Sequence, residues 1–159
     1  MKIKLLFIVT LISLALFYIS TWTGFDDSLT AYIKGAYVTA FNQFREAAEQ
    51  GDAASQYNLA LMYGSGKGAP QDDTEAMKWY SKAAEQGYAY AQYNLSMVYY
   101  FGQGVPQDYV AAYKWMILAA DQGEKHAKEA MPALAKKMSQ EQITEAQAAA
   151  QAWSEKHIK

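Results

Sequence analysis

Few residues of this chain have the types and spacing that chemistry needs. The run Gly64-Ser65-Gly66-Lys67-Gly68 has part of the pattern of a phosphate-cradling loop. That loop requires a glycine five residues before its Gly-Lys pair and a serine or threonine after it, but Leu61 and Gly68 occupy those places, so the segment reads as a turn. Asp72 and Asp73 lack the alternating acidic ligands and central glycine of a calcium loop, and helix capping accounts for Asp72. His126 and His157 are the only histidines. Neither has a second nitrogen ligand or a carboxylate in a His-Glu-x-x-His frame, so no metal site is expected. There is no cysteine, which removes thiolate nucleophiles, thiolate metal ligands and disulfides together. Ser-x-x-Lys and Gly-x-Ser-x-Gly are also missing. The expectation is a protein with no catalytic set and no cofactor.

Tyrosine is the unusual residue, present 13 times. It offers area, stiffness and one hydroxyl, and is enriched where proteins bind one another. Which tyrosines pack and which face a partner depends on the elements that carry them.

The 159 residues suffice for one ordinary domain. At 52% apolar and 19% charged residues the composition is that of a folded globular protein. A net charge of −2 disfavours nucleic acid, whose binding needs dense Lys and Arg to displace phosphate counterions. Residues 1–23 stand apart. Lys2 and Lys4 precede an unbroken apolar run from Leu5 to Ile19, the layout of an export signal. The run is short for a membrane span, yet no pair of small residues marks a cleavage site near Ser20, Thr21 and Thr23. A cleaved signal peptide and a retained anchor over residues 5–22 both fit. Positive charge before the apolar run places the remainder outside the cytoplasm in either case, periplasmic or secreted.

A period of 36 residues organises the rest. Laying the segment from Ala53 to Tyr88 on the segment from Ala89 to Glu124 matches 18 of 36 positions, among them Gln56 to Leu59 with Gln92 to Leu95 and Lys78-Trp79 with Lys114-Trp115. Such a period predicts stacked helical hairpins, none able to bury its apolar faces alone. In the first helix of each unit, Gln56, Leu59, Ala60 and Tyr63 follow helical spacing, as do Gln92, Leu95, Ser96 and Tyr99. Tyr57 with Leu61, and Tyr93 with Met97 and Tyr100, add a second stripe. In the second helix Ala76, Trp79 and Ala83 share a face with their counterparts Ala112, Trp115 and Ala119. Asp72 with Glu75 suggests a capping box, Asp108 caps alone, and Gly51, Gly87 and Gly123 suit left-handed helix ends. Helices are expected over 28–34 and 38–50. Beyond Gly123, Met131, Leu134 and Met138 suggest one more inner helix, with Pro132 in its first turn or kinking it. Ser139 and Gln142 form a capping box opening a last helix whose stripe is Ile143, Ala146, Ala150 and Trp153.

The run Ala-x-x-Gln-Tyr-Asn-Leu, then Tyr, Gly-x-Gly-x-Pro-Gln-Asp, Ala-x-Lys-Trp and Ala-Ala-x-Gln-Gly resembles the Sel1-like repeat, a relative of the tetratricopeptide repeat. It covers residues 53–88 and 89–124, with a helix pair and partial repeat over 24–52 and a partial repeat and capping helix over 125–159. Ala69, where the family usually has Val, and Ala60 and Ser96, where it usually has Gly, depart from the pattern but remain small. The resemblance implies an all-α superhelix whose inner face receives a protein or peptide. Tyr63 and Tyr99 read as core, and Tyr57, Asn58, Tyr93, Asn94 and Tyr100 as the candidate partner-binding residues on the concave side. A rival reading, an envelope-targeted hydrolase of wall components, rests on the same resemblance and requires a cleft with a nucleophile or carboxylate pair.

Overall fold

A computed structural model describes residues 25–157, so the apolar N-terminal run lies outside the described residues. Every element is helical: α1 (25–33), α2 (Tyr37–Glu49), α3 (Ala53–Ser65), α4 (Asp73–Glu85), α5 (Ala89–Phe101), α6 (Tyr109–Asp121), α7 (Lys125–Ala135) and α8 (Gln140–His157). Each helix from α2 to α6 packs on the next in sequence, and α8 returns to lie against α6. No helix among the described residues is long and apolar enough to cross a membrane.

Local chemistry sets each boundary. After α2, α4 and α6 the chain makes the same turn: Gly51, Gly87 and Gly123 donate to the carbonyls of Ala48, Ala84 and Ala120, and the next residues donate to Ala47, Ala83 and Ala119. This is the paired hydrogen-bond pattern that closes a helix on a left-handed glycine. After Gly51 and Gly123 the next residue at once caps the following helix, with the Asp52 carboxylate accepting from Ser55 N–H at 2.6 Å and Glu124 accepting from Ala127 N–H, whereas Tyr88 after Gly87 makes no side-chain cap. The loops inside each hairpin end on Asp72 and Asp108, which accept from Glu75 N–H and Ala111 N–H. Glu75 does not close a reciprocal box, because its carboxylate pairs with Lys78 one turn on, at 2.9 Å, while the Asp72 N–H donates to the Tyr63 carbonyl. At α8 the box is complete: Ser139 N–H donates to Gln142 Oε1 at 2.9 Å, and Gln142 N–H to Ser139 Oγ at 3.3 Å.

The core is continuous along the stack. One cluster joins Phe41, Phe44, Leu59, Met62, Trp79, Leu95 and Trp115, and a second joins Tyr113, Met116, Ala127, Leu134 and Ala146, with Tyr99 and Ile117 packed against both. Gln56 and Gln92, which share a stripe with buried leucines, carry a polar relay through this core. Gln122 donates to Gln92 and Gln92 to the Ala84 carbonyl; one repeat earlier, Gln86 donates to Gln56 and Gln56 to the Ala48 carbonyl. A buried amide costs free energy unless its donor and acceptor are matched, and here the preceding helix takes the donor while a glutamine of the same repeat fills the acceptor.

Three expectations are corrected at the ends. The opening helices cover 25–33 and Tyr37–Glu49 rather than 28–34 and 38–50. Pro132 lies in the last turns of α7, which begins at Lys125. Met138 falls beyond α7 and packs from the connecting turn, leaving Leu134 as the deeply buried residue.

Candidate functional site

The first helices of the hairpins, α3, α5 and α7, bring some of their aromatic residues side by side. Tyr57 on α3 lies 5.4 Å, ring centre to ring centre, from Tyr88 and 6.2 Å from Tyr90, which are themselves 5.8 Å apart. One helical turn along α5 from Tyr90, Tyr93 lies 5.8 Å from His126 at the start of α7. Residues three apart on a helix are neighbours, so Tyr90 links the two groups. The arrangement has the repeat's own period: Tyr93 is Tyr57 moved by one unit, and His126 is Tyr90 moved by one unit.

The ridge is supported from beneath. Tyr80, on α4, is buried and lies 6.0 Å from Tyr57. The Asn94 carboxamide faces the hydroxyls of both. Burial raises the pKa of both phenols above the ordinary tyrosine value, against the smaller opposing effect of Asn94, so both stay neutral across the physiological range. At the far end the Glu124 carboxylate is buried and accepts from Ala127 N–H and from His126, whose Nδ1 lies at 2.8 Å. Tyr90 is the most exposed tyrosine of the group, with 56% of its surface open to solvent.

The five residues expected to bind a partner are therefore not equivalent. Tyr57 and Tyr93 stand on the ridge. Asn94 lies under it as a brace. Asn58 turns back on its own helix, its Nδ2 donating to the Ala54 carbonyl at 2.8 Å. Tyr100, two turns beyond Tyr93, packs on Phe101 and Tyr109 with the Lys137 ammonium 5.1 Å from its ring centre. Tyr88, Tyr90 and His126 complete the ridge, and the last two are related to each other by the same 36-residue shift that relates Tyr57 to Tyr93.

A groove of about 500 Å³ lies between the ends of α4, α6 and α8, lined by Glu85, Asp121, Leu118, Trp153 and His157 among others. Its polar groups are largely engaged in fastening α8. Trp153 Nε1 donates to Glu85 Oε2 at 2.8 Å, and the His157 ring stacks on Trp153 at 4.1 Å with 12° between planes. No group of three or more His, Cys, Asp or Glu able to hold a metal occurs among the described residues.

The Sel1 repeat matches residues 53–88 and again residues 89–124, two hairpins of the stack. This chain carries two Sel1 repeats. A protective antigen of uropathogenic Escherichia coli that displays an SLR fold superposes with a TM-score of 0.82 at 31% identity, over 86% of this chain and 30% of that one. A Sel1 repeat protein from Oxalobacter formigenes gives 0.57 at 37% identity, over 59% of this chain and 39% of that one. In sequence, an exopolysaccharide production negative regulator of Rhizobium leguminosarum bv. viciae is 44% identical over 57 residues, and a DAP3-binding cell death enhancer of Rattus norvegicus 38% over 63. The matches span 21% and 12% of those two proteins, and 36% and 39% of this chain. Sel1 repeats generally mediate protein–protein interaction, and proteins built of them are typically non-catalytic scaffolds.

Glu124 gives the Sel1 stack an acid-sensitive joint. Burial alone would raise its carboxyl pKa, but the hydrogen bonds from Ala127 N–H and from the His126 side chain and N–H outweigh burial and hold it below the ordinary value. A depressed carboxyl contributes stability that is present above its unfolded pKa of about 4.3 and disappears as pH falls through the lower folded value. Urea unfolding should therefore show Glu124→Gln less stable than the parent at neutral pH, with the gap narrowing below about pH 4. An equal gap at both pH values would mean that the Glu124 charge adds nothing.

Proposed function

We propose that this protein is an exported, extracytoplasmic scaffold that binds a protein or peptide partner along the concave face formed by α3, α5 and α7. The observation that carries the reading is the ridge of Tyr57, Tyr88, Tyr90, Tyr93 and His126, solvent-accessible aromatic area at intervals fixed by the repeat. Rigid aromatic surface with a hydroxyl at its edge recurs among the residues that dominate protein interfaces. The apolar run behind Lys2 and Lys4 supports export. The repeat's general use in protein–protein contacts supports a protein partner.

Tyr90→Ala and Tyr93→Ala test it. Both sites are at least partly exposed, so the circular dichroism melt should move by only a few degrees. Partners recovered with the parent by crosslinking and mass spectrometry should fall at least tenfold in abundance. Unchanged recovery with both variants would remove the ridge from binding. Intact mass of the protein from its native envelope tests export separately, by showing whether the N-terminal run is removed there.

A further inference from the structure

Elsewhere in the described chain, several aromatic rings carry cations that the chain itself supplies. Lys67 lies 5.1 Å from the Tyr32 ring centre and 5.2 Å from that of Tyr37, Lys82 lies 4.0 Å from Trp79, and Lys114 lies 4.1 Å from Trp115. The ridge departs from this pattern. Among the described residues no Lys or Arg lies over Tyr57, Tyr88, Tyr90 or Tyr93. The charges acting on these tyrosines are carboxylates: Asp52 on Tyr88, Glu124 on Tyr57 and Tyr93, and Glu129 on Tyr93. An aromatic face attracts a cation through its quadrupole, and a carboxylate at the rim attracts the same cation by charge.

We propose that the ridge recognises a basic segment of its partner, an extended peptide whose lysine or arginine side chains lie over the tyrosine rings with their charged heads toward Asp52 and Glu129. This rests on the concave-face reading above and adds the chemistry of the guest. Arginine fits better than lysine, because its flat guanidinium stacks on a ring and is less strongly hydrated. Lys125 pairs with Glu129 at 3.7 Å with both side chains well exposed, a pair weak enough for a guest guanidinium to displace. His126 turns Nδ1 toward Glu124, so the near end of the ridge at Tyr57, Tyr88 and Tyr90 is the stronger cation site.

The probe is a short fluorescent peptide with arginine at every third position in a serine and glycine background, compared by anisotropy with its citrulline counterpart. Citrulline keeps the shape and drops the charge. With the full chain at physiological ionic strength, the arginine peptide should bind at least tenfold more tightly. Tyr90→Phe, which keeps the ring, should retain most of the affinity, and Tyr90→Leu, which keeps only apolar bulk, should lose about fivefold. Equal binding of the two peptides, no binding of either, or full affinity in Tyr90→Leu overturns the proposal. If the arginine peptide fails while crosslinked partners still depend on Tyr90 and Tyr93, the basic guest is wrong and the concave-face reading survives. If partner recovery ignores both tyrosines, the two fall together.

Discussion

Trp115→Ala is expected to lower the free energy of unfolding by about 3–5 kcal/mol, read from urea titration followed by circular dichroism. Trp115 keeps 5% of its surface accessible, and its ring meets the Trp153 ring edge to face at 6.0 Å. It thus joins the second helix of a repeat to the capping helix α8, and its loss opens a cavity at the seam between them. Deleting a large aromatic side chain forfeits its transfer free energy and also leaves a void that helices tethered on both sides cannot fully close. A loss below about 1 kcal/mol would show that α8 is not seated on this tryptophan.

The second large effect belongs to the backbone, and two glycines isolate it. Gly35 and Gly68 have nearly the same left-handed conformation, with φ of +74° and +84°. A Cβ at Gly35 would meet nothing within 4 Å, whereas at Gly68 it would collide with the Tyr37 carbonyl oxygen and lie 2.8 Å from Phe41 Cβ. Gly35→Ala should therefore cost only the left-handed strain, about 1–2 kcal/mol. Gly68→Ala adds a clash with backbone that cannot rotate away, and should cost about 3 kcal/mol or more. Equal losses would mean that the hairpin loop does not touch the preceding helix. The same contact recurs one repeat on, where a Cβ at Gly104 would come within 2.9 Å of the Asp73 carbonyl oxygen. The second glycine of the Gly-x-Gly loop is thus where one repeat rests on the helix start of the one before it.

That contact explains what could be read ahead of the structure. Hairpins, caps and turn glycines are local, so a 36-residue period and helical spacing were enough to place α3 to α6, and Ser139 with Gln142 correctly announced the start of α8. Asp72 with Glu75 has the same pattern but only half of the expected bonds, because Lys78 offers the Glu75 carboxylate a partner that Gln142 lacks. Pro132 was hard to place for a related reason. A proline late in α7 forfeits a hydrogen bond near the frayed end of a short helix, where the loss is small, and spacing alone does not count how many residues follow.

The site was legible only in part. Tyr57 and Tyr93 stand out because the repeat carries them twice. Tyr80 meets Tyr57 across its own hairpin, and Tyr88 and Tyr90 meet it only when one hairpin stacks on the next, contacts between segments that no single helix pattern encodes. Asn94 and Asn58 share the expected concave side, yet the two differ in what surrounds them. Asn94 faces the hydroxyls of Tyr57 and Tyr80, and Asn58 bonds its own helix. The glutamine relay was hidden in the same way, since Gln56 and Gln92 fall on an apolar stripe and their partners lie at the far end of the same hairpin and on the helix before it.

The most direct test of a binding face along α3, α5 and α7 places a photo-activated crosslinking residue at Tyr90 or, on the exposed surface of α8, at Gln151, in cells making the full chain. The ridge position should form a discrete covalent adduct with one partner protein, and the α8 position should form none. Adducts of equal yield at both positions, or at Gln151 alone, would contradict the account.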